Sequence, residues 1–434
     1  MLKRALLAAA AAAVLLMATA TAVANPPGPV GTGDPVINLA GGFTYTVLST
    51  ACTDDVTSTE SGSTFAMPED FDANIVFSAG DETWLLSNHE LTEPRPGDFQ
   101  GDAGKCAVPE QTAGDEDSNG TGSVSRLVLA KDGLTVLRRD LITTGLHDNC
   151  AAAQTPWKTF LTNEEFPFLA DPELRSGWVW EIDPATGAQK RLTGMGHFSH
   201  EQEARVGDNW YLTNDRGNYQ YLYKFVPDRA RDLTTGSLYG LWFDRATNSG
   251  NWVGPLDPSQ PEEDMAARVG PPDSTNSFEK AEGMVSGPTG DDLVFSESGA
   301  LPRAGNVWKL TDLGQETVHG EILVAGDFAR MARPDNIRLT DAGDLFIMED
   351  HGSSDFRQPG TGDANQIWLL PRGEQGAENL RLVAVLPNHF EPTGPWFSNN
   401  NQILYLSVQA DPPFQSRVIA IQRTGGNFNQ PYDR

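Results

Sequence analysis

The sequence contains little positive charge and lacks several motifs that mark common enzyme classes. Its 434 residues include 31 lysines and arginines against 59 aspartates and glutamates, for a net charge of −28. Surfaces that follow nucleic-acid phosphates are basic, so this balance argues against nucleic acid or an anionic membrane as the main partner. The G-x-S-x-G motif and the phosphate-binding P-loop are both absent. Their absence argues against a hydrolase with a serine triad and against a protein that binds nucleoside triphosphates through a P-loop.

Long apolar runs are also missing, apart from one at the N-terminus. Lys3 and Arg4 precede an apolar run over residues 5–17 and an Ala-Val-Ala sequence at 22–24. This order is typical of a signal peptide, and the run is too short to span a bilayer. We therefore expect residues 1–24 to be removed and the protein to be secreted, periplasmic or extracellular. The segment has no Arg-Arg pair, which favours Sec export.

Cysteine is rare, with three residues in the chain. Cys52 and Cys106 lie in polar, Asp- and Gly-rich segments, so we expect them to form a disulfide in an exported protein. Cys150 is then left over. A buried inert thiol and a reactive or metal-bound thiolate both remain open for it from its surroundings alone.

What the chain has in abundance is short strand patterns that recur. An apolar strand ending in polar or acidic residues occurs at 82–90, 157–165, 209–217, 292–299, 344–352 and 403–411. An alternating strand follows each copy, at 123–129, 177–183, 221–227, 306–311, 365–371 and 417–422. Six copies of one strand pair predict an all-β fold, a six-bladed β-propeller with long inserted loops, over residues 25–434 as a single domain. A pair of β-sandwiches is the alternative, but it does not explain the repetition.

The repeats lie farther apart than the roughly 40–50 residues of a bare propeller blade. The extra length falls mainly in two segments, the acidic Gly-rich residues 93–121 and the Pro-, Asp- and Ser-rich residues 228–277. We expect both to be loops that cover one face.

Acidic residues recur at the ends of these strands and beside them. The set comprises Glu90, Glu164, Glu165, Glu201, Glu203, Asp215, Glu282, Glu297, Asp335, Glu349, Asp350 and Glu391. Equivalent strand ends in a propeller converge on the central channel, where so many carboxylates would repel one another unless cations neutralised them. A single carboxylate is most often a solvated strand end, but the recurring set predicts a multivalent metal site.

Seven segments in a fixed order resemble the PhoX-type alkaline phosphatase family. They are NHE (88–90), NCAxxxTPWxTxLTxEE (149–165), GHFSHE (196–201), TNDRGNYQYLYKFV (213–226), AEGM (281–284), RPDNIRLTDAGDLFI (333–347) and EPTGPWF (391–397). The resemblance implies a secreted propeller phosphomonoesterase, acting on a small phosphorylated substrate, with iron and calcium in the channel. The cysteine segment is its most specific part.

The resemblance also implies roles for individual residues. Cys150 corresponds to the thiolate that bridges iron, and Glu201, Glu282 and Asp335 fall where carboxylates hold iron. Oxygen ligands for calcium or substrate correspond to Glu90, Glu164, Glu165, Asp215 and Glu391. We expect His200 to act as a leaving-group acid or to hold a ligand, with a structural hydrogen bond as the alternative, and Lys280 to attract the phosphoryl group.

The chain departs from the family pattern at three positions. Ala152 and Ala153 stand where the family usually has two glycines, and Lys280 stands where it usually has arginine. A lysine attracts a phosphoryl group but cannot hold it with two parallel hydrogen bonds. Two other functions therefore stay open: a calcium-dependent propeller hydrolase without iron, of the lactonase or phytase kind, and a non-catalytic metal-binding propeller. We expect a monomer in each case.

Overall fold

A computed structural model describes residues 37–91, 106, 120–165, 176–216, 219–299, 303–350, 364–387, 389–410 and 414–432. The expected signal peptide lies outside these residues, and so does most of segment 93–121. Within the described part of the chain, no helix is long and apolar enough to cross a membrane.

Strands make up nearly all of the regular structure. In chain order they are β1 (Asn38–Leu39), β2 (Phe43–Thr50), β3 (Asp55–Ser58), β4 (Thr64–Ala66), β5 (Phe71–Ala79), β6 (Glu82–His89), β7 (Gly120–Leu129), β8 (Val136–Gly145), β9 (Asn149–Gln154), β10 (Phe160–Glu164), β11 (Val179–Ile182), β12 (Gln189–Arg191), β13 (His200–Val206), β14 (Asn209–Asn214), β15 (Tyr219–Gln220), β16 (Tyr223–Arg229), β17 (Asp232–Asp244), β18 (Ser249–Leu256), β19 (Phe278–Glu279), β20 (Ala281–Ser286), β21 (Leu293–Glu297), β22 (Asn306–Thr311), β23 (Val318–Ala325), β24 (Pro334–Leu339), β25 (Leu345–Glu349), β26 (Gln366–Leu370), β27 (Arg381–Val385), β28 (Phe390–Phe397), β29 (Ile403–Ala410) and β30 (Arg417–Arg423). Helix α1 (Glu262–Val269) and two 3₁₀ turns, Thr193–Met195 and Ala377–Asn379, complete the described elements.

Most neighbouring strands are antiparallel and follow one another in the chain. The described sheets are β4-β3-β8-β7-β6-β5, β12-β11-β10-β9, β1-β27-β26-β25-β24, β2-β30-β29-β28, the small β15-β19 pair and a nine-stranded sheet. The two recurring patterns are the second and third strands of these sheets, such as β6 with β7 and β25 with β26. The predicted all-β, propeller-like arrangement is confirmed.

The nine-stranded sheet departs from the expected set of separate four-stranded sheets. Its order is β13-β14-β16-β17-β18-β23-β22-β21-β20, so two antiparallel groups are joined where Ser249 and Gly250 of β18 pair with His319 and Val318 of β23. Residues 228–277, expected to be a loop, supply β17, β18 and α1 here. The buried leucines and phenylalanine of β17 anchor it, which explains why this polar segment folds as strand.

The first strands of the successive groups form a closed ring. Strands β5, β9, β13, β20, β24 and β28 contact one another in that order, and β28 contacts β5 again. The chain ends are joined as well, because β2 near the N-terminus pairs with the last strand, from Phe43 opposite Arg423 to Thr50 opposite Arg417. This closure fixes the ring, and the ends of its six strands are therefore held at one mouth of a central channel.

Apolar side chains fill the spaces between adjacent sheets. One cluster joins the β24–β27 and β28–β30 sheets through Phe346, Leu406 and Phe428. Another packs Trp210 and Tyr223 against the β9–β12 sheet. Burial of each such side chain contributes about 1.5–3 kcal/mol. The rigidity of the ring thus comes from the spaces between sheets, which leaves the channel itself available to polar groups.

Candidate metal centre

Each strand of the ring places its second residue at the same mouth of the channel. These residues are Asp72, Cys150, Glu201, Glu282, Asp335 and Glu391. The pairing of each strand with its neighbour is interrupted close by, as between Phe71 and Asn74 on β5 or between Pro334 and Ile337 on β24. Such bulges bend a strand and turn its side chains, so one donor from each strand of the ring reaches the channel.

A second set of carboxylates follows the neighbouring strands. Phe71 pairs with His89, His200 with Asn214 and Pro334 with Glu349, and the acidic residue after each partner adds to the site. Together the two sets line a cavity of about 190 Å³. Its lining consists of Asp72, Glu90, Cys150, Glu165, Glu201, Asp215, Lys280, Glu282, Asp335, Asn336, Asp350, Glu391, Thr393 and Gln409.

The cavity concentrates nine carboxyl groups around a single lysine. Burial raises the pKa of Glu201 well above its usual range, and Glu282 and Asp335 raise it further. Burial and the charge of Asp350 raise the pKa of Asp335 to about 7. These shifts mean that the ionised cluster is unfavourable without a counter-charge, and a bound cation supplies one.

Three of these carboxylates have the geometry of a metal site. One oxygen each from Glu201, Glu282 and Asp335 lies within 4.8 Å of the other two, and all three residues are buried. The Cys150 thiol lines the same cavity, is 2% exposed and donates a hydrogen bond to the carbonyl oxygen of His200 at 3.2 Å. Burial and the nearby Glu201 carboxylate raise the pKa of Cys150, so a metal ion is needed to stabilise its thiolate.

The chemistry of the donors separates two kinds of ion. A thiolate with several carboxylates suits a transition metal such as iron, whereas calcium takes six to eight oxygens and no sulfur. Among the described lining residues Cys150 is the sulfur donor, and carboxylates such as Glu90, Glu165 and Asp350 supply oxygen donors. The residues present fit both ions.

Amide and hydroxyl groups hold the carboxylates in place. The Asn336 amide donates to Asp335 Oδ1 at 2.9 Å, and its oxygen accepts from the Gly394 N–H at 2.7 Å. Asp72 accepts from the Ala151 N–H at 2.5 Å and from the Thr393 hydroxyl. These contacts tie strands β5, β9, β24 and β28 together at the mouth, and the ligand positions are therefore set before any ion binds.

Among the described residues that line this cavity, Lys280 is the one cation. Its Nζ lies 3.2 Å from Asp215 Oδ1 and 3.1 Å from Glu282 Oε1. Its backbone is left-handed, with φ of 49°, as is that of the residue at the same place ahead of β24, Arg333. Burial lowers the pKa of Lys280, but Asp215 and Glu282 more than offset this and hold it well above its usual range. Lys280 is therefore charged.

Comparisons with known proteins agree with this architecture. The family described as "Alkaline phosphatase PhoX" matches residues 29–412. The chain belongs to this family. Among solved structures, PhoX of Pseudomonas fluorescens in complex with vanadate, a transition state analogue, is 19% identical, with a TM-score of 0.68 over 92% of this chain and 98% of that chain.

Two further solved structures match with lower scores. Trypanosoma rangeli sialidase is 7% identical with a TM-score of 0.44, over 88% of this chain and 60% of that chain. A Xanthomonas campestris gluconolactonase is 13% identical with a TM-score of 0.38, over 87% and 100%. No curated protein sequence matches the chain significantly.

Two residues expected at the PhoX site lie outside the cavity. The Glu164 carboxylate accepts hydrogen bonds from the backbone N–H groups of His147 and Trp178 at 3.1 and 3.2 Å. His200 Nε2 donates to the Gly196 carbonyl oxygen at 3.0 Å, and its ring stacks on Phe198 with centroids 3.7 Å apart. Burial lowers the pKa of His200 to about 3, so the ring is neutral. The structural hydrogen bond, one of the two expectations for His200, is what the structure contains.

Two other strand-end acids, Glu297 and Glu349, also lie outside the cavity. Glu297 forms an ion pair with Arg245 at 2.6 Å, and Glu349 accepts from the indole N–H of Trp368 at 3.1 Å. Both stabilise neighbouring strands.

The alanines that replace the usual PhoX glycines are accommodated without strain. Ala152 and Ala153 lie inside β9, paired with Thr162 and Leu161 of β10. Neither is among the residues with positive φ. The backbone here requires no glycine, so this departure does not displace Cys150.

Sequence reasoning missed several residues of the cavity. Asp72, Asn336, Thr393 and Gln409 were not among the candidates; Gln409 donates to Glu90 Oε2 at 2.8 Å. Asp72 carried a usable signal, because it precedes the strand of the first repeat as Glu201 and Asp335 precede theirs.

Proposed function

We propose that this protein is a metal-dependent phosphomonoesterase, exported from the cell, that hydrolyses small phosphorylated molecules. The observation that carries the proposal is the buried group of Glu201, Glu282 and Asp335 beside Cys150 in a chain of the PhoX family. The vanadate bound by the Pseudomonas fluorescens relative supports phosphoryl transfer as the reaction.

We assign iron to the donor group that includes the Cys150 sulfur and calcium to a group of carboxylates alone. Cys150, Glu201, Glu282 and Asp335 would hold iron. Calcium would be held among Glu90, Glu165, Asp215, Asp350 and Glu391, and Asp72 lines the same cavity. When bound, these ions supply the concentrated positive charge that an anionic ester and its transition state require.

The protein's own residues bind and orient. Lys280 holds Asp215 and Glu282 in place through its two ion pairs, and it adds the single protein cation at the cavity. Burial of Cys150 excludes water from its sulfur and protects it from oxidation. Because His200 is neutral and turned toward Gly196, we assign proton transfer to the leaving group to no histidine.

Two alternatives make different predictions. An iron-free calcium hydrolase has no use for Cys150, and the burial of this thiol among carboxylates favours the iron-containing site instead. One observation favours a non-catalytic metal-binding propeller. Both ion pairs of Lys280 are with residues of the cavity itself, so its charge is already compensated before a substrate binds. Only an assay of turnover distinguishes this non-catalytic propeller from a phosphatase.

We propose that the blades number six. The closed ring of six strands supports this count, with the nine-stranded sheet formed by two blades that β18 joins. Export is supported by the disulfide between Cys52 and Cys106, which confirms the predicted pairing and is expected in an oxidising compartment.

The test is elemental analysis and phosphatase assay of the mature exported protein. We expect bound iron and calcium and hydrolysis of p-nitrophenyl phosphate, and we expect Glu282→Gln to lose both iron and turnover. Glu164→Gln is the matched control, because the same change outside the cavity must leave the metal content intact. Iron-loaded protein that cleaves no simple phosphomonoester between pH 6 and 10 would establish the non-catalytic alternative.

A further inference from the structure

A second cavity, of about 490 Å³, opens at the other end of the ring strands. On β13, Glu201 lines the metal cavity, whereas Glu203 and Arg205 line the second cavity. On β20, Glu282 lines the metal cavity and Met284 lines the second one. The two linings share no residue. The volume of the second cavity is in the range of small-molecule sites.

Polar side chains link the strands of the ring next to the second cavity. Gln202 donates to the Ala152 carbonyl oxygen at 3.0 Å and accepts from the Met284 N–H at 2.7 Å, which links three ring strands. The Asn163 amide donates to the Glu201 carbonyl oxygen at 2.7 Å and to Glu203 Oε2 at 3.1 Å. A ligand in the second cavity therefore has its own set of contacts, separate from the metal ions.

The second cavity contains one acceptor that lacks a partner. Glu203 is 3% exposed, and its Oε1 accepts no hydrogen bond from any other residue of the described chain. A buried carboxyl oxygen is costly to leave unpaired. A ligand that donates a hydrogen bond, best from a positively charged group, would satisfy it.

The same cavity contains a cation of complementary character. The guanidinium of Arg338 lies over the Trp396 ring, 3.4 Å from its centroid, and donates no hydrogen bond to another described residue. Stacking of this kind leaves the in-plane N–H groups available for a carboxylate. The other lining cations differ, because Arg205 is paired with Asp208 at 2.8 Å and Lys158 with the Gln154 side-chain oxygen at 2.8 Å.

Apolar side chains line the cavity together with these two groups. Met284, Leu339 and Trp396 line the cavity together with Glu203 and Arg338. We propose that this cavity binds a small zwitterion of the amino-acid class, its carboxylate on Arg338, its ammonium group on Glu203 and its side chain against the apolar residues.

The test screens the twenty amino acids singly against the mature protein by ligand-observed saturation-transfer NMR, followed by calorimetric titration of the strongest. We expect at least one to bind. Its amide, which lacks the carboxylate, and its deaminated acid, which lacks the ammonium group, should each bind at least about tenfold more weakly, because each loses a charge-assisted pair.

Variants locate the binding site. Arg338→Gln and Glu203→Gln should each weaken binding at least about tenfold. Lys158→Gln removes the same charge as Arg338→Gln, at the rim, and should change affinity little. The wild-type titration with the two analogues stands even where a variant does not fold.

A repeat with chelated, metal-free protein separates this site from the metal cavity, since amino acids also bind metal ions. We expect binding to persist there. The proposal is overturned if no amino acid binds, if binding disappears on chelation, or if Arg338→Gln binds as tightly as the wild type. None of these outcomes depends on phosphatase activity.

Discussion

The metal-free protein should become less stable as the pH rises, and Asp335 offers the clearest test. Burial and the charge of Asp350 raise its pKa to about 7, from an ordinary value of 3.8. The folded protein therefore binds a proton at Asp335 more tightly than the unfolded chain does. Its contribution to stability is complete below pH 4 and is lost as the pH approaches 7.

The size of this effect follows from the shift. A difference of about three pKa units corresponds to about 4 kcal/mol of unfolding free energy. The Asp335→Asn variant has no ionisable group there. In chelated protein, the stability of the variant relative to the wild type should thus improve by up to about 4 kcal/mol between pH 4 and pH 7. Comparing the two proteins removes the opposing contribution of the buried histidines, whose pKa values are lowered to about 4 for His89 and His147.

The assay is urea unfolding at several pH values, monitored by fluorescence of the ten tryptophans. Asp344→Asn is the control, because Arg372 neutralises that buried carboxylate at 2.8 Å and its removal must not help at high pH. Iron and calcium should cancel the advantage of Asp335→Asn. A relative stability that is flat, or that moves against the variant as the pH rises, would refute the reasoning.

Three further predictions concern the metals and the lysine. Cys150→Ser should abolish bound iron and visible iron–thiolate absorption while the melting temperature with calcium changes little. Glu165→Gln should weaken calcium binding at least about tenfold by titration calorimetry, since the calcium ion would lose a negatively charged buried ligand. Glu164→Gln should not weaken it. Lys280→Arg should retain turnover, and Lys280→Ala should raise KM for p-nitrophenyl phosphate, since the only cation among the described lining residues is lost. Equal kinetics for the two variants would contradict this role.

The fold was predictable because its repeated strands have recognisable patterns of apolar residues in the sequence. Second strands such as Glu82–His89 and Leu345–Glu349 contain buried apolar runs that no solvated loop would have. The joining of two groups by β18 was not predictable, since it depends on the pairing of Ser249 with His319, residues far apart in the chain. Segment 228–277 has a loop-like composition, and only packing of its few apolar residues made it strand.

The site residues were predicted largely through resemblance, and the pair Glu164 and Glu165 shows what a sequence cannot decide. Glu164 and Glu165 are adjacent, and successive side chains of an extended chain point to opposite faces. One of the two must therefore turn away from the cavity, and the sequence alone cannot say which. The structure turns Glu164 toward His147 and Trp178, and Glu165 lines the cavity.

The arrangement at the mouth of the channel is not what selection for stability alone would produce. Six strands begin alike, and each is free to place an apolar residue at its second position, yet five place a carboxylate there and the sixth a thiol. Buried like charges oppose folding, and replacing them by packed apolar groups commonly stabilises a protein. The cluster is balanced only when cations enter it. Because one ring strand alone supplies sulfur, we expect the proposed iron to bind beside Cys150.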